Sequence, residues 1–127
     1  MEQPSIRVRD IAWVAGLIDG EGSFLWSNYV HRERGKEYQY SRPAIQINMT
    51  DEDTIAKVAK YFRTSYWKVC PDKRGNRKQL YTTHIEGKRA IGWMLTLHPL
   101  MSKRRQEKIN EIVGAYREYK RRPTVAA

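Results

Sequence analysis

The chain has 127 residues and a formal net charge of +10 at pH 7. This length suits a single domain over residues 1–127, and the lack of an apolar run of about 18 residues excludes a transmembrane helix. The lone cysteine, Cys70, cannot form an internal disulfide, and no secretory pattern is visible. We therefore expect a protein that is neither secreted nor membrane-bound, in a bacterial cytoplasm or an organelle interior.

The positive charge is unevenly distributed along the chain. Residues 103–127 carry eight Lys and Arg against three Glu. A second basic cluster consists of Lys68, Lys73, Arg74, Arg77 and Lys78. Such an excess favours a polyanionic partner, with nucleic acid the first candidate and an acidic membrane surface the second.

Hydrophobic spacing predicts an alternation of helices and strands, because apolar residues recur every three or four positions in some segments and every second position in others. The predicted elements are a helix over about 10–20, strands over 23–31 and 38–49, a helix over 51–62, strands over 66–70 and 79–85, and helices over 87–97 and 102–119. The segment 71–76 is predicted to be a basic turn, and the tail 123–127 to be disordered. This order indicates an α+β fold.

The first predicted helix has two unlike faces. Ala12, Gly16 and Gly20 recur one helical turn apart, whereas Val14 and Ile18 lie on a face that suits a core. Glycine within a helix costs about 1 kcal/mol relative to alanine, so two glycines on one face need a reason. Close approach of a second backbone is the usual reason.

The segment Val14–Gly22 reads Val-Ala-Gly-Leu-Ile-Asp-Gly-Glu-Gly and continues into Ser23 and Phe24. This string resembles the LAGLIDADG motif of the homing endonucleases. The resemblance implies the αββαββα fold with a DNA-binding antiparallel sheet, which agrees with the predicted element order. Because the motif occurs once, the resemblance implies a homodimer in which two motif helices pack together. The interface residues would be Ala12, Gly16, Asp19 and Gly20.

The same resemblance implies a site-specific DNA endonuclease of intron homing that cuts both strands of a long pseudo-palindromic site. Glu21 occupies the eighth motif position, where the family places its metal-binding acid, and the Gly20 carbonyl would face the same ion. Carboxylate oxygens suit Mg²⁺, and Mn²⁺ or Ca²⁺ can occupy such sites. Two Glu21 carboxylates brought together would repel each other unless cations lay between them.

Two further catalytic positions follow from the resemblance. The family uses a basic residue near the start of the last long helix, where the Lys-x-x-Gln spacing points to Lys103 and counting from Pro99 points to Arg104. Both remain open, with Lys103 favoured. A polar residue near the end of the second strand would orient water. Gln46 is the candidate, although counting positions along the predicted second strand points to Met49. Asp53 stands where the family has a second basic residue, so the basic pocket would be built differently.

DNA recognition would fall to the polar strand faces, since a two-stranded ribbon fits the major groove. The base-reading candidates are Ser27, Tyr29, His31, Tyr40, Arg42, Gln46, Asn48, Lys68, Gln79 and Tyr81. Among them, Arg42 suits guanine and Gln46 suits adenine. The candidates for phosphate contact are Lys73, Arg74, Arg77, Lys78 and Arg104. The four tryptophans, Trp13, Trp26, Trp67 and Trp93, are predicted to lie in the core.

Two other hypotheses stand beside the nuclease. A non-cleaving intron RNA maturase or DNA-binding regulator would keep the fold, and intron RNA would then be a partner. A basic RNA-binding protein of the ribosomal type would be a monomer with no metal-dependent activity. The intact acid at Glu21 favours the nuclease.

Overall fold

The computed structural model describes residues 6–69 and 78–121. The elements are α1 (Val8–Glu21), β1 (Gly22–Glu33), β2 (Lys36–Met49), α2 (Glu52–Phe62), β3 (Tyr66–Lys68), β4 (Tyr81–Glu86), α3 (Lys88–Leu97), a 3₁₀ turn (His98–Leu100) and α4 (Lys103–Arg121). This order confirms the predicted α+β fold. The expected turn 71–76 and tail 123–127 lie outside the described residues.

The four strands form an antiparallel sheet in the order β1-β2-β4-β3. The β1–β2 hairpin is paired from Gly22↔Ile47 to Glu33↔Lys36. Its two turn residues, Arg34 and Gly35, both have positive φ, at 53° and 77°. A two-residue turn of this kind matches the twist of the flanking strands and so favours the hairpin.

The core lies between one face of the sheet and the helices. Phe24, Ile45, Ile47 and Ile85 from the strands are all at most 3% exposed. The helix residues packed with them are Val14, Ala15, Ile18, Ile55, Val58, Phe62, Ala90, Met94, Leu97, Ile109, Ile112 and Val113. We call this side of the sheet the helix-packed face. Because side chains alternate along a strand, the polar residues between these apolar positions point to the other side.

The junction between α1 and β1 has no intervening loop, since the helix ends at Glu21 and the strand begins at Gly22. A Cβ atom at Gly22 would lie 2.8 Å from Cγ2 and 2.9 Å from Cα of Ile18. Only glycine fits this close approach without a shift of the junction. The tight turn places Glu21 at the exposed tip of α1, directly beside the first residues of the sheet.

Helix α2 begins as the sequence predicts. Asp51 is its N-cap and accepts hydrogen bonds from the Asp53 backbone N–H at 3.1 Å and from Thr54 Oγ1 at 2.9 Å. The fourth strand begins two residues later than predicted. The Gln79 side chain there donates to the carbonyl oxygens of Val69 and Leu80, at 2.7 and 3.0 Å, rather than projecting from a strand.

Among the helices that the structure describes, none is both long and apolar enough to span a lipid bilayer.

Candidate metal-binding tip and nucleic-acid interface

Glu21 lies exposed at the C-terminal end of α1. Over residues 6–69 and 78–121 its carboxylate makes no hydrogen bond or ion pair. Those residues also include no group of three His, Cys, Asp or Glu side chains arranged to hold a metal ion. Among the described residues, the tip of α1 therefore presents one unpaired carboxylate, which is a hard oxygen donor that suits Mg²⁺ but fills few of its ligand positions.

Asp19 ties this tip to the start of α4. Its Oδ1 accepts a hydrogen bond from the Ser102 backbone N–H at 3.2 Å, and its carbonyl oxygen accepts one from Arg105 Nη2 at 3.3 Å. The backbone hydrogen bond from Ser102 is the main reason that the pKa of the Asp19 carboxyl lies below its ordinary value, and the Ser102 hydroxyl and the charge of Arg105 add to the effect. Asp19 thus holds the end of α1 to the start of α4.

An open groove of about 490 Å³ separates the start of β1 from the first turns of α4. The groove is lined by Ser23, Phe24, Leu25, Arg104, Arg105, Glu107, Lys108 and Glu111. Arg104 thus lines a groove that begins two residues after Glu21. Lys103 is exposed at the first position of α4 and is not among the lining residues.

The side of the sheet opposite the core carries most of the expected base-reading residues. Pairing places Tyr29 opposite Tyr40, Ser27 opposite Arg42, and Ser23 opposite Gln46. We call this side the open face. It carries Ser27, Tyr29, His31, Tyr40, Arg42, Gln46, Asn48, Trp67, His84 and Glu86. Each of these side chains is exposed or half-buried, so the open face is available to a partner.

The hydrogen-bonding residues near the motif are grouped on the open face. Gln46 pairs with Ser23, two residues beyond Glu21, and its Nε2 lies 3.4 Å from Asn48 Oδ1. Met49, the alternative to Gln46 for orienting water, is half-buried and packs against the core. The register therefore places Gln46 on the open face, opposite Ser23, and Met49 on the helix-packed face.

Several expected contact residues lie elsewhere. Lys68 pairs with Tyr81, and both are in register with Met49 on the helix-packed face. Tyr81 packs against the core there. The Gln79 amide donates to the carbonyl oxygens of Val69 and Leu80, and Lys78 is exposed beside it. The remaining expected phosphate contacts, Lys73, Arg74 and Arg77, lie outside the described residues.

Trp67 was wrongly expected in the core. Its side chain is 43% exposed, in register with Thr82 on the open face, with its ring edge-on to His84 at 5.0 Å. The other three tryptophans are half-buried against the core, as expected. Strand β3 has only three described residues, all exposed, so its own alternation gives no sign of which side faces the helices. His84 and Glu86 were missed as surface residues, although the alternation of β4 would have placed them together.

Comparison with known proteins gives structural matches only. No protein-family model matches the chain, and no curated protein matches it. The chain is similar to the homing endonuclease I-CvuI, crystallised with a DNA target, at 15% identity over 83% of this chain and 64% of that one, with a TM-score of 0.59.

Two further solved structures match in the same way. The LAGLIDADG homing endonuclease I-GzeII in complex with its DNA target is 16% identical over 95% of this chain and 40% of that one, with a TM-score of 0.58. The homing endonuclease I-TnaI is 22% identical over 87% of this chain and 74% of that one, with a TM-score of 0.59. The chain thus spans less than two thirds of the length of I-CvuI and of I-GzeII. The resemblance in the motif is confirmed at the level of architecture, and the chain has the fold of the LAGLIDADG homing endonucleases.

Proposed function

We propose that this chain is a homodimeric, Mg²⁺-dependent, site-specific DNA endonuclease of the LAGLIDADG family that acts in intron homing. The observation that supports this most strongly is the Glu21 carboxylate at the exposed tip of α1. It is unpaired among the described residues and lies two residues before a groove whose lining includes Arg104, Arg105 and Lys108 as well as Glu107 and Glu111. The net charge of +10 supplies attraction for the DNA backbone.

DNA binding is assigned to the open face. Phosphate contacts position a protein on the duplex, whereas contacts with base edges in the major groove specify the sequence. Arg42, Gln46 and Asn48 carry the donors and acceptors for base reading, and the basic start of α4 faces the phosphates next to Glu21. Lys68 and Tyr81 are not included, because they lie on the helix-packed face.

Dimerisation is assigned to the small-residue side of α1. A Cβ atom at Gly16 or Gly20 would meet nothing within 4 Å inside the chain, in contrast to Gly22. Gly92 and Gly114 are equally open, so the inference rests on the joint placement of Gly16 and Gly20 with exposed Ala12 and Val8. Val8 is 84% exposed. Four small or apolar residues at four-residue spacing form a continuous exposed stripe that a second copy of α1 can cover.

The dimer completes the donor set that one chain lacks. Two copies of Glu21 and of the Gly20 carbonyl would hold Mg²⁺ with hard oxygen ligands. Bound Mg²⁺ supplies Lewis acidity at the scissile phosphate and makes a bound water easier to deprotonate. Gln46 orients the attacking water, and Lys103 or Arg104 stabilises the charge that develops on the phosphate and the leaving oxygen.

The test has two stages. Duplexes that the wild-type protein binds are first selected from a randomised pool, and a selected duplex is then incubated with wild-type protein, Glu21→Gln or Glu118→Gln, with and without Mg²⁺. Glu118 is an exposed acid on α4, so its substitution makes the same charge change away from the tip.

We expect Glu21→Gln to bind the selected duplex and to cut it at least about 100-fold more slowly, because loss of even an outer partner of a metal site costs 10- to 100-fold. Glu118→Gln should cut like the wild type. Equal cleavage by Glu21→Gln would overturn the assignment of Glu21, and binding without any Mg²⁺-dependent cleavage by the wild type would favour a maturase or regulator.

A further inference from the structure

The carboxylate of Glu86 lies between two side chains of the open face. Its Oε2 is 3.5 Å from Arg42 Nη1, and its Oε1 is 3.3 Å from His84 Nε2. The pairing Ala44↔Glu86 places Glu86 on the same side of the sheet as Arg42, diagonally across the β2–β4 pair. One carboxylate oxygen thus contacts Arg42 on the neighbouring strand β2, and the other contacts His84 on the same strand β4.

Arg42 is held from a second direction by an aromatic pair. Its Cζ lies 5.6 Å from the centre of the Tyr29 ring, and Tyr29 stacks on Tyr40 with ring centres 5.6 Å apart. A guanidinium that contacts a carboxylate on one side and an aromatic ring on the other has lost much of the freedom of a surface arginine. Arg42 is therefore fixed in place by residues from β1 and β4.

Stability does not explain this arrangement. The Arg42 and Glu86 side chains are 52% and 41% exposed, and exposed ion pairs contribute little to the free energy of unfolding. A carboxylate on the open face also repels DNA phosphates. Among the described strand residues of this face the acids are Glu86 and Glu33, and Glu33 lies at the far end of the hairpin beside His31. An acid at the centre of a DNA-binding surface needs a role in recognition.

We propose that Glu86 is a positioning residue that aims Arg42 at a guanine, so that each half-site carries one G·C base pair read through Arg42. The proposal rests on the proposed function of the open face. A guanidinium has five N–H donors, and an ion pair through Nη1 leaves other N–H groups for the O6 and N7 acceptors of guanine. Without Glu86, Arg42 is free to turn to a phosphate, which holds the protein but specifies no base.

The experiment compares the sequences that each variant selects from a randomised duplex pool. The variants are Glu86→Gln, Arg42→Gln, Arg42→Lys and the matched control Glu37→Gln. Glu37 pairs with Arg32 at 3.0 Å, and its register places it on the other side of the β1–β2 hairpin from the open face. Its substitution removes the same charge from the same sheet.

For the wild type and Glu37→Gln we expect one strong G·C preference in each half-site. Both Arg42 variants should lose it, because lysine keeps the charge but not the planar fork. Glu86→Gln should weaken that same preference roughly tenfold, within the range for one base contact. Its binding to unrelated DNA should become tighter and more sensitive to salt, as the freed cation reaches a phosphate.

The outcomes separate the two proposals. If Glu86→Gln keeps the wild-type preference, the positioning role is wrong while the endonuclease proposal stands. If it alters a different base position from the Arg42 variants, Glu86 contacts a base itself and does not act through Arg42. If the wild type selects no sequence at all, DNA recognition by this face fails, and the role of Glu86 fails with it. Should Glu86→Gln not fold, an unchanged preference in Arg42→Lys would also overturn the proposal.

Discussion

The two faces of the sheet differ in what determines their residues. On the helix-packed face, Ile45 and Ile47 are fully buried by residues of the same chain, so folding alone accounts for their identity. On the open face, Arg42, Glu86 and His84 form contacts that are exposed and contribute little to folding. This difference supports the proposal that the open face contacts a partner outside the chain, because its ion pairs contribute little to stability.

Helix α1 repeats this contrast on a smaller scale. Val14 and Ile18 are fully buried, whereas Gly16 and Gly20 face open space. If this contrast holds, substitutions on an open surface should alter the binding of a partner, and substitutions on a packed surface should alter the free energy of unfolding.

The largest expected effect is a difference in the free energy of unfolding between substitutions at two adjacent residues of β2 that point to opposite faces. Ile45→Ala should lower the free energy of unfolding by about 2–5 kcal/mol, because it leaves a cavity in the core. Gln46→Ala should change it by no more than about 0.5 kcal/mol. Urea unfolding of both variants measures the difference, and similar losses would show that the two faces are not distinct.

Substitution of Gly16 tests the open side of α1. Gly16→Leu has space within the chain but should weaken dimerisation roughly 100-fold, since overpacking costs about 1–3 kcal/mol and acts at both copies. Gly92→Leu, at an equally open helical glycine of α3, is the control and should leave the dimer unchanged. Sedimentation equilibrium gives the dissociation constants, and equal values for the two variants would exclude α1 as the interface.

Gly22 is the packed counterpart of Gly16. Gly22→Ala brings a methyl group within 2.9 Å of the Ile18 backbone, so we expect it to destabilise the fold by about 1–3 kcal/mol. Gly114→Ala, at an open glycine within α4, should instead be neutral or slightly stabilising. Thermal unfolding compares the two, and an unaffected melting temperature for Gly22→Ala would mean that the junction tolerates a side chain.

Trp67 should report DNA binding directly. As the exposed tryptophan of the open face it should change its fluorescence when a selected duplex binds, whereas the half-buried tryptophans should change little. Trp67→Ala should weaken binding about tenfold, or about 1.4 kcal/mol, with little effect on stability. Trp67→Phe tests whether an aromatic ring suffices. Unaltered affinity in Trp67→Ala would place Trp67 outside the interface.

The smallest effect concerns the pH dependence of stability. The pKa of the Asp19 carboxyl is lowered in the folded protein from an ordinary value of 3.8. A lowered pKa contributes stability that is present above the ordinary value and lost as the pH falls through the folded-state pKa. The wild type should therefore be more stable than Asp19→Asn at pH 7, and the difference should shrink below about pH 4 in urea unfolding. A difference independent of pH would show that charge at Asp19 has no part in holding the end of α1 to the start of α4.

The element order could be predicted from the sequence because periodicity, caps and turns are local. The position of α2 and the alternation of β2 are properties of neighbouring residues, and both are confirmed. The placement of Trp67, Lys68 and Tyr81 could not be predicted in this way. The side on which Trp67 and Lys68 lie depends on the register between the short strand β3 and β4, which three residues of sequence do not specify. The side on which Tyr81 lies follows from the pairing of β4 with β2, where it is opposite Met49.

Contacts between distant parts of the chain could likewise not be predicted from the sequence. The hydrogen bond from Arg105 to the Asp19 carbonyl joins residues 86 positions apart, and the ion pair between Arg42 and Glu86 joins two strands that are not consecutive. The motif singles out Glu21, but the lack of a partner for its carboxylate among the described residues, and the groove that begins two residues later, follow only from the folded arrangement.

The central claim is that a second copy covers α1 while DNA covers the open face of each copy. Native mass spectrometry of the wild-type protein with a selected duplex measures both at once. The account predicts a complex of two chains on one duplex, which Gly16→Leu should fail to form and Gly92→Leu should keep. A complex of one chain on one duplex, formed equally well by Gly16→Leu, would contradict it.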